Sequence, residues 1–139
     1  MPAFVLDASV ALAWMLPDEA HAAEARRLIE AVVEEGAVVP GHWRLEVSNG
    51  LLMAERRRRV PQGTMAAMLG RLAALLIALD PETAARAWDA ALTLARQHGL
   101  SLYDAAYLEL AVREGLALAS FDASLRRAAI AEQVPVAGE

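Results

Sequence analysis

Short apolar runs alternate with longer segments of helical periodicity along this chain. Each run is so short that periodicity alone does not separate a buried strand from a helix, and we interpret them as strands. The run at 75–79 favours a strand because Asp80 and Pro81 are typical of a helix start, as the cap and the first helical residue. The predicted strands are residues 3–6, 37–40, 75–79 and 116–120, with an edge strand at 134–136, where Pro135 fits only an edge.

The segments between these runs carry apolar residues at helical spacing. Asp18 is positioned to cap one of them, and Ser101 with Asp104 resembles a capping box at the start of another. Trp88 falls on an apolar helix face, so we expect it in the core. The predicted helices are residues 9–16, 18–35, 43–58, 61 to the low seventies, 81–99, 101–115 and 123–131.

Strands that alternate with helices predict a parallel sheet covered by helices on both faces. The chain has 139 residues, of which 57% are hydrophobic and 22% charged, a balance typical of a globular protein. It shows no internal repeat, linker or composition shift. We therefore expect a single α/β domain over residues 1–139.

Several classes of protein are excluded by residues that the chain lacks. It has no cysteine, which excludes disulfides, thiolate metal sites and cysteine nucleophiles and is compatible with a cytoplasmic location. It has no lysine, which argues against P-loop NTPases and Schiff-base enzymes. We identify no signal peptide, and the longest apolar stretch, residues 72–79, is far shorter than the ~20 residues of a spanning helix.

Two acidic residues follow predicted strands. Asp7 comes after the first strand, and Asp122 after the fourth, with Ser120 two residues earlier. In open α/β sheets, sites form beyond the carboxyl ends of the strands, so these two carboxylates are in the right place to meet.

Two further acids lie on predicted helices without an obvious partner. Asp104 shares its face with apolar residues, where a carboxylate is costly unless it is paired or binds a ligand. Glu46 has no basic residue on its own face. Glu109, in contrast, lies four residues before Arg113, and we interpret this pair as an ordinary surface ion pair.

Carboxylates that crowd together raise one another's pKa, and a divalent cation relieves the repulsion. Mg²⁺ and Mn²⁺ prefer oxygen ligands and can activate water for attack on a phosphodiester. The net charge is −5, which argues against a passive nucleic-acid binder but not against an enzyme that recruits cations. An alternative stays open, in which Asp7 and Asp122 are helix caps and Asp104 only interacts favourably with the dipole of its helix.

Four segments, in the same order and spacing, resemble the motifs of the PIN domain, and the chain as a whole looks like a bacterial VapC-type toxin, the endoribonuclease of a toxin–antitoxin pair. The segments are Val5-Leu6-Asp7-Ala8-Ser9-Val10, Trp43-Arg44-Leu45-Glu46-Val47-Ser48-Asn49, Ser101-Leu102-Tyr103-Asp104-Ala105-Ala106-Tyr107 and Ala119-Ser120-Phe121-Asp122-Ala123-Ser124-Leu125.

This resemblance implies a strand order of 3-2-1-4-5 and a site that binds Mg²⁺ or Mn²⁺ through four acids. It also implies a homodimer and a cognate VapB-type antitoxin. The matching acidic positions are Asp7, Glu46, Asp104 and Asp122. The neighbouring polar positions are Ser9, Asn49 and Ser120, where the last stands in place of the more usual threonine.

The remaining polar and aromatic features allow two interpretations each. The run from Arg56 through Arg57 and Arg58 to Arg59 could contact RNA phosphates, or it could place cations at a helix C-terminus. Trp14 and Trp43 could line a site or an interface. We interpret His42, four residues before Glu46, as a surface histidine, although a role in the site is conceivable.

The surface also suggests a partner, because residues 11–16 and 65–79 carry more apolar side chains than one small core needs. The leading hypothesis is a metal-dependent endoribonuclease toxin. The second is a PIN-like binding module without catalysis, in which the acids are structural. A phosphoaspartyl phosphatase or receiver domain is a third hypothesis, weakened by the missing lysine.

Overall fold

The computed structural model of the chain describes residues 1–16 and 20–138, in which helices flank a parallel four-stranded sheet. The strands are β1 (Phe4–Leu6), β2 (Ala37–Val39), β3 (Ile77–Leu79) and β4 (Ala117–Ala119). The helices are α1 (Ala8–Met15), α2 (Ala22–Glu35), α3 (Trp43–Arg56), α4 (Met65–Ala73), α5 (Thr83–Arg86), α6 (Ala90–His98), α7 (Leu102–Glu114) and α8 (Ala123–Ala131). The predicted cap Asp18 lies outside the described residues.

The order of the sheet is β3-β2-β1-β4, with every pair parallel. This confirms the predicted α/β class and the first four places of the strand order that the resemblance implies. The predicted fifth strand is reduced to one parallel bridge between Leu118 and Val136. The Pro135 carbonyl accepts a 2.8 Å bond from the Leu118 N–H, whereas the proline nitrogen has no hydrogen to donate.

Two predicted helices have different bounds in the structure. The helix after β2 ends at Arg56 instead of residue 58, because Arg58 adopts a left-handed φ of 58°. The next helix begins at Met65 instead of Pro61. The intervening residues form a turn in which the Thr64 hydroxyl donates to the Pro61 carbonyl over 2.8 Å.

The prediction of one continuous helix over residues 81–99 is wrong, because the structure has two helices there, α5 and α6. Asp89 begins α6 anew, since its side chain accepts a bond from the Ala90 N–H. Trp88 lies at the break and is 90% exposed, so its predicted place in the core is wrong. The helix start predicted at Asp80 and Pro81 is displaced to Thr83.

Glu109 and Arg113 do not form the surface pair that their spacing predicted. Glu109 is buried, and its two oxygens lie 2.9 and 3.0 Å from Arg113. Arg113 also binds Asp80, a second buried acid, over 2.7 Å. The pair lies on α7, and α6 packs along this helix. The face of α7 that its sequence pattern would leave exposed to solvent is therefore covered.

The core lies around β1 and α7. Val5, Leu6, Tyr107 and Leu108 are fully buried, which fixes the start of α7 against the end of β1. The apolar residues of α1 are also mostly buried, so the excess surface predicted for residues 11–16 is absent there. No helix in the described part of the chain combines the length and the apolar character needed to cross a membrane.

Candidate active site

The four predicted acids lie at the carboxyl-end edge of the sheet. Asp7 directly follows β1, and its N–H donates to the carbonyl of Ala119, the last residue of β4, over 2.9 Å. Asp122 follows β4 by three residues, and Glu46 and Asp104 lie in the first turns of α3 and α7. The topology of the fold therefore brings together residues that are as much as 115 positions apart.

Asp7 is 5% exposed and is held by two hydroxyl groups. Its Oδ2 accepts hydrogen bonds from Ser9 Oγ at 2.6 Å and from Ser120 Oγ at 2.8 Å. The two hydroxyls in turn accept bonds from the N–H groups of Phe121 and Asp122, each over 3.0 Å. Their hydrogens are thereby directed at the carboxylate. Asp7 stands at the N-cap position of α1 but makes no side-chain capping bond, so capping does not explain this acid.

The pKa of Asp7 is raised from 3.8 to about 6. Burial is the largest cause, the two serine bonds act against it, and the negative charges of Glu46 and Asp104 add to it. The hydroxyl groups carry no charge and cannot neutralise the carboxylate. Asp7 is therefore a buried acid with negative neighbours, which is an environment that a bound cation would stabilise.

Glu46 is held by two ring-bearing side chains. Its Oε1 lies 3.0 Å from His42 Nε2 and accepts a 2.8 Å bond from the hydroxyl of Tyr107. Burial acts to raise the pKa of Glu46, but these two hydrogen bonds outweigh it and leave the pKa below its ordinary value. His42, predicted to be a surface histidine, thus lies within the site. Its spacing of four residues from Glu46 on one helix was the only available signal.

Asp104 and Asp122 occupy the starts of α7 and α8. The Asp104 N–H donates to Ser101 Oγ over 3.1 Å, as the capping-box pattern predicted. Burial, followed by the charges of Asp122 and Glu46, raises the pKa of Asp104. Asp122 Oδ1 caps α8 by accepting a 2.8 Å bond from Leu125 N–H, which confirms the capping alternative for this residue. One oxygen thus serves the helix, while the charge still acts on Asp104.

The chemistry of these donors fits a hard divalent cation, because carboxylate oxygens are the ligands that Mg²⁺ and Mn²⁺ prefer. The side chains influence one another's pKa but do not converge as closely as ligands of one ion. Among the described residues, no three acidic or histidine side chains form a group that could hold a metal as they stand. A metal would therefore have to draw the carboxylates together.

The other predicted site residues lie on α3 and just beyond its end. Asn49 is exposed on α3, one turn after Glu46. The arginine run from Arg56 to Arg59 is exposed at the opposite end of α3. A rise of 1.5 Å per residue puts its first member about 15 Å from Glu46 along the helix axis. The run and Glu46 thus occupy opposite ends of one helix.

A family model described as the PIN domain matches residues 4–131. Among solved structures, PAE2754 from Pyrobaculum aerophilum is similar over 91% of this chain and 86% of its own, with 25% sequence identity and a TM-score of 0.66. VapC20 from Mycobacterium tuberculosis, described as a toxin that cleaves the sarcin-ricin loop, covers 89% of this chain and 93% of its own, with 20% identity and a TM-score of 0.62. FitAcB from Neisseria gonorrhoeae covers 95% and 94%, with 17% identity and a TM-score of 0.54. No curated protein matches the sequence.

Proposed function

The chain belongs to the PIN-domain family, and from this premise we propose that it is a metal-dependent endoribonuclease, the toxin of a type II toxin–antitoxin pair. RNA is the proposed substrate, in line with the loop-cleaving activity that the description of VapC20 gives for that protein. An RNA substrate of this kind places the proposed activity in the cytoplasm.

The observation that carries the proposal is the environment of Asp7. This carboxylate is buried, its neighbours Glu46 and Asp104 are negative, and its pKa is raised to about 6. A protein gains nothing in stability from such a group, because burial of a charge is costly without an opposite charge. The arrangement is typical of a functional site, where a ligand supplies the missing charge.

We propose that Asp7, Glu46, Asp104 and Asp122 hold Mg²⁺ or Mn²⁺. When bound, such a cation lowers the pKa of a coordinated water and stabilises negative charge that develops on a scissile phosphate. The chain's own residues orient the carboxylates. Ser9 and Ser120 fix one oxygen of Asp7, and the bond to Leu125 N–H fixes one oxygen of Asp122.

The proposal includes a cognate VapB-type antitoxin and a homodimer. It is supported by large apolar side chains at the surface, since such side chains mark interfaces when they lie together. Leu76 is 73% exposed and Trp88 90% exposed. A cleft of about 290 Å³ is lined largely by apolar residues of α3, α4 and β3. Co-purification with the antitoxin and light scattering of the isolated chain test these two parts of the proposal.

The direct test is cleavage of a total-RNA pool by the purified, antitoxin-free protein in Mg²⁺, in Mn²⁺ and in chelator. We expect discrete fragments that require metal and that disappear in Asp104→Asn. Asp89→Asn is the matched control, because Asp89 is an exposed helix cap and asparagine caps equally well. Metal-independent cleavage, or equal cleavage by the two variants, would contradict the proposal.

A binding module without catalysis is the second candidate. It is supported by the capping bond of Asp122 and by the lack of a ready metal-binding group among the described residues. This candidate predicts that folded wild-type protein leaves every RNA in the pool intact under both metals. Binding of the same RNA without cleavage would then favour it.

A further inference from the structure

His42 lies at the turn that leads into α3, with its side chain 17% exposed. We propose that His42 is a positioning residue, which sets the orientation of Glu46 and fixes the start of α3 against the start of α7. The inference rests on the proposed function, because it concerns how the candidate metal ligands are held.

The contacts of the His42 ring fix the position of its hydrogen. Nε2 lies 3.0 Å from Glu46 Oε1 and 3.1 Å from the backbone carbonyl oxygen of Tyr103. A carboxylate and a carbonyl can both only accept a hydrogen bond, so Nε2 must carry the hydrogen that they share. This one N–H therefore donates to two acceptors.

The two acceptors belong to different helices. Glu46 lies on α3, and Tyr103 directly precedes Asp104 on α7. A change in the distance between the two helix starts would break at least one of the bonds. The His42 N–H thus joins the segments that carry two of the four acids.

Two aromatic side chains hold the ring of His42 in place. The rings of Tyr103 and Tyr107 meet it edge-on, with centroids at 5.6 and 5.4 Å. The Tyr107 hydroxyl also donates to Glu46 Oε1, the oxygen that His42 contacts. Since both bonds go to Oε1, rotation of the carboxylate is restricted, and Oε2 receives neither of them.

Two substitutions separate the hydrogen bond from the packing. His42→Phe keeps a flat ring against the tyrosines but removes the N–H, whereas His42→Gln removes the ring but keeps an N–H donor. We expect His42→Phe to weaken Mn²⁺ binding about tenfold or more, as loss of a group that orients a ligand does. His42→Gln is expected to retain more affinity than His42→Phe. His98→Phe is the control, because the His98 ring bonds Glu132 instead of one of the four acids.

Mn²⁺ affinity is measured without RNA, from the free-ion electron paramagnetic resonance signal, on variants whose folding is checked by circular dichroism. Unchanged affinity in folded His42→Phe would overturn the positioning role while leaving the nuclease proposal in place. A wild-type protein that binds no Mn²⁺ would overturn the proposed function and, with it, this inference.

A second measurement needs no metal. Nitrogen-15 spectra of the histidine rings at pH 8 distinguish which ring nitrogen carries the hydrogen. We expect it on Nε2 of His42 in the wild type. A hydrogen on Nδ1 alone would overturn the shared bond, whatever the metal measurement shows.

Discussion

At the scale of single residues, the ionisation of Asp7 opposes folding. Its folded pKa is about 6, against 3.8 for an ordinary aspartate, and burial is the main cause. The folded state therefore binds this proton more tightly than the unfolded state does. Stability of the metal-free protein must fall as the pH rises from about 4 to 6 on account of this group, and the loss remains at higher pH.

We predict that Asp7→Asn stabilises the metal-free protein at pH 7.5. The rise in pKa of Asp7 from 3.8 to about 6 corresponds to roughly 3 kcal/mol, which is an upper bound on the gain. The asparagine carbonyl can accept the bonds from Ser9 and Ser120 that the carboxylate accepts now. The free energy of unfolding in urea, with chelator present, measures the effect.

The gain from Asp7→Asn should shrink as the pH is lowered toward 4, because wild-type Asp7 then becomes neutral as well. Asp89→Asn removes the same charge at an exposed position and should leave the free energy of unfolding nearly constant. A variant that is less stable than the wild type at every pH would show that the Asp7 charge is compensated within the fold.

At the scale of elements, α1 and α3 pack so closely that Gly50 leaves no room for a side chain. A Cβ at this position would lie 2.5 Å from Cδ1 and 2.7 Å from Cδ2 of Leu12. Gly70, on α4, is also inside a helix, but a Cβ there meets nothing within 4 Å. The two glycines thus share a helical conformation and differ in their surroundings.

We predict opposite effects for alanine at these two positions. Gly70→Ala should stabilise the protein by up to about 1 kcal/mol, because alanine favours the helix. Gly50→Ala should destabilise it by about 1 kcal/mol or more, because Leu12 must leave its rotamer, a cost that exceeds the helical gain. Urea unfolding of both variants checks the prediction, and a stabilised Gly50→Ala would show that Leu12 repacks freely.

The sheet could be predicted from sequence because a buried strand flanked by helices leaves a local pattern. Two of the acids, Asp7 and Asp122, were found because they follow such strands, and the other two because they lack a basic partner on their own helix face. Contacts between elements leave no local pattern. The spacing of Glu109 and Arg113 indicated a surface pair, but α6 packs along their helix, and Asp80, at the end of β3, also binds Arg113. Trp88 had helical spacing, yet Asp89 starts a new helix there. His42 entered the site only through folding, because one of its partners lies 61 residues away.

At the scale of the whole molecule, charge is distributed unevenly along α3. Glu46 lies in its first turn, and the arginine run begins at its last residue, about 15 Å away by helix geometry. A single-stranded RNA that reaches the acids could place phosphates several nucleotides away against the arginines. The run is thus suited to bind substrate but not to take part in the chemistry.

We predict that replacing Arg57 and Arg58 together by glutamine weakens binding of single-stranded RNA and lowers its dependence on salt. If both contact phosphates, the slope of log affinity against log salt should fall by about 1.4, since each contact contributes roughly 0.7 for single strands. Fluorescence anisotropy of labelled RNA over a salt series, in chelator to prevent cleavage, measures the slope.

The control for this prediction is the pair Arg26 and Arg27, which are exposed on α2 and give the same change in net charge. Because Coulomb interactions at physiological salt decay within about 8 Å, a contact at the arginine run should depend on position as well as charge. Equal losses for the two double variants would mean that the RNA responds only to the overall charge. A loss confined to Arg57 and Arg58 would place the RNA path along α3, from the arginine run toward the four acids.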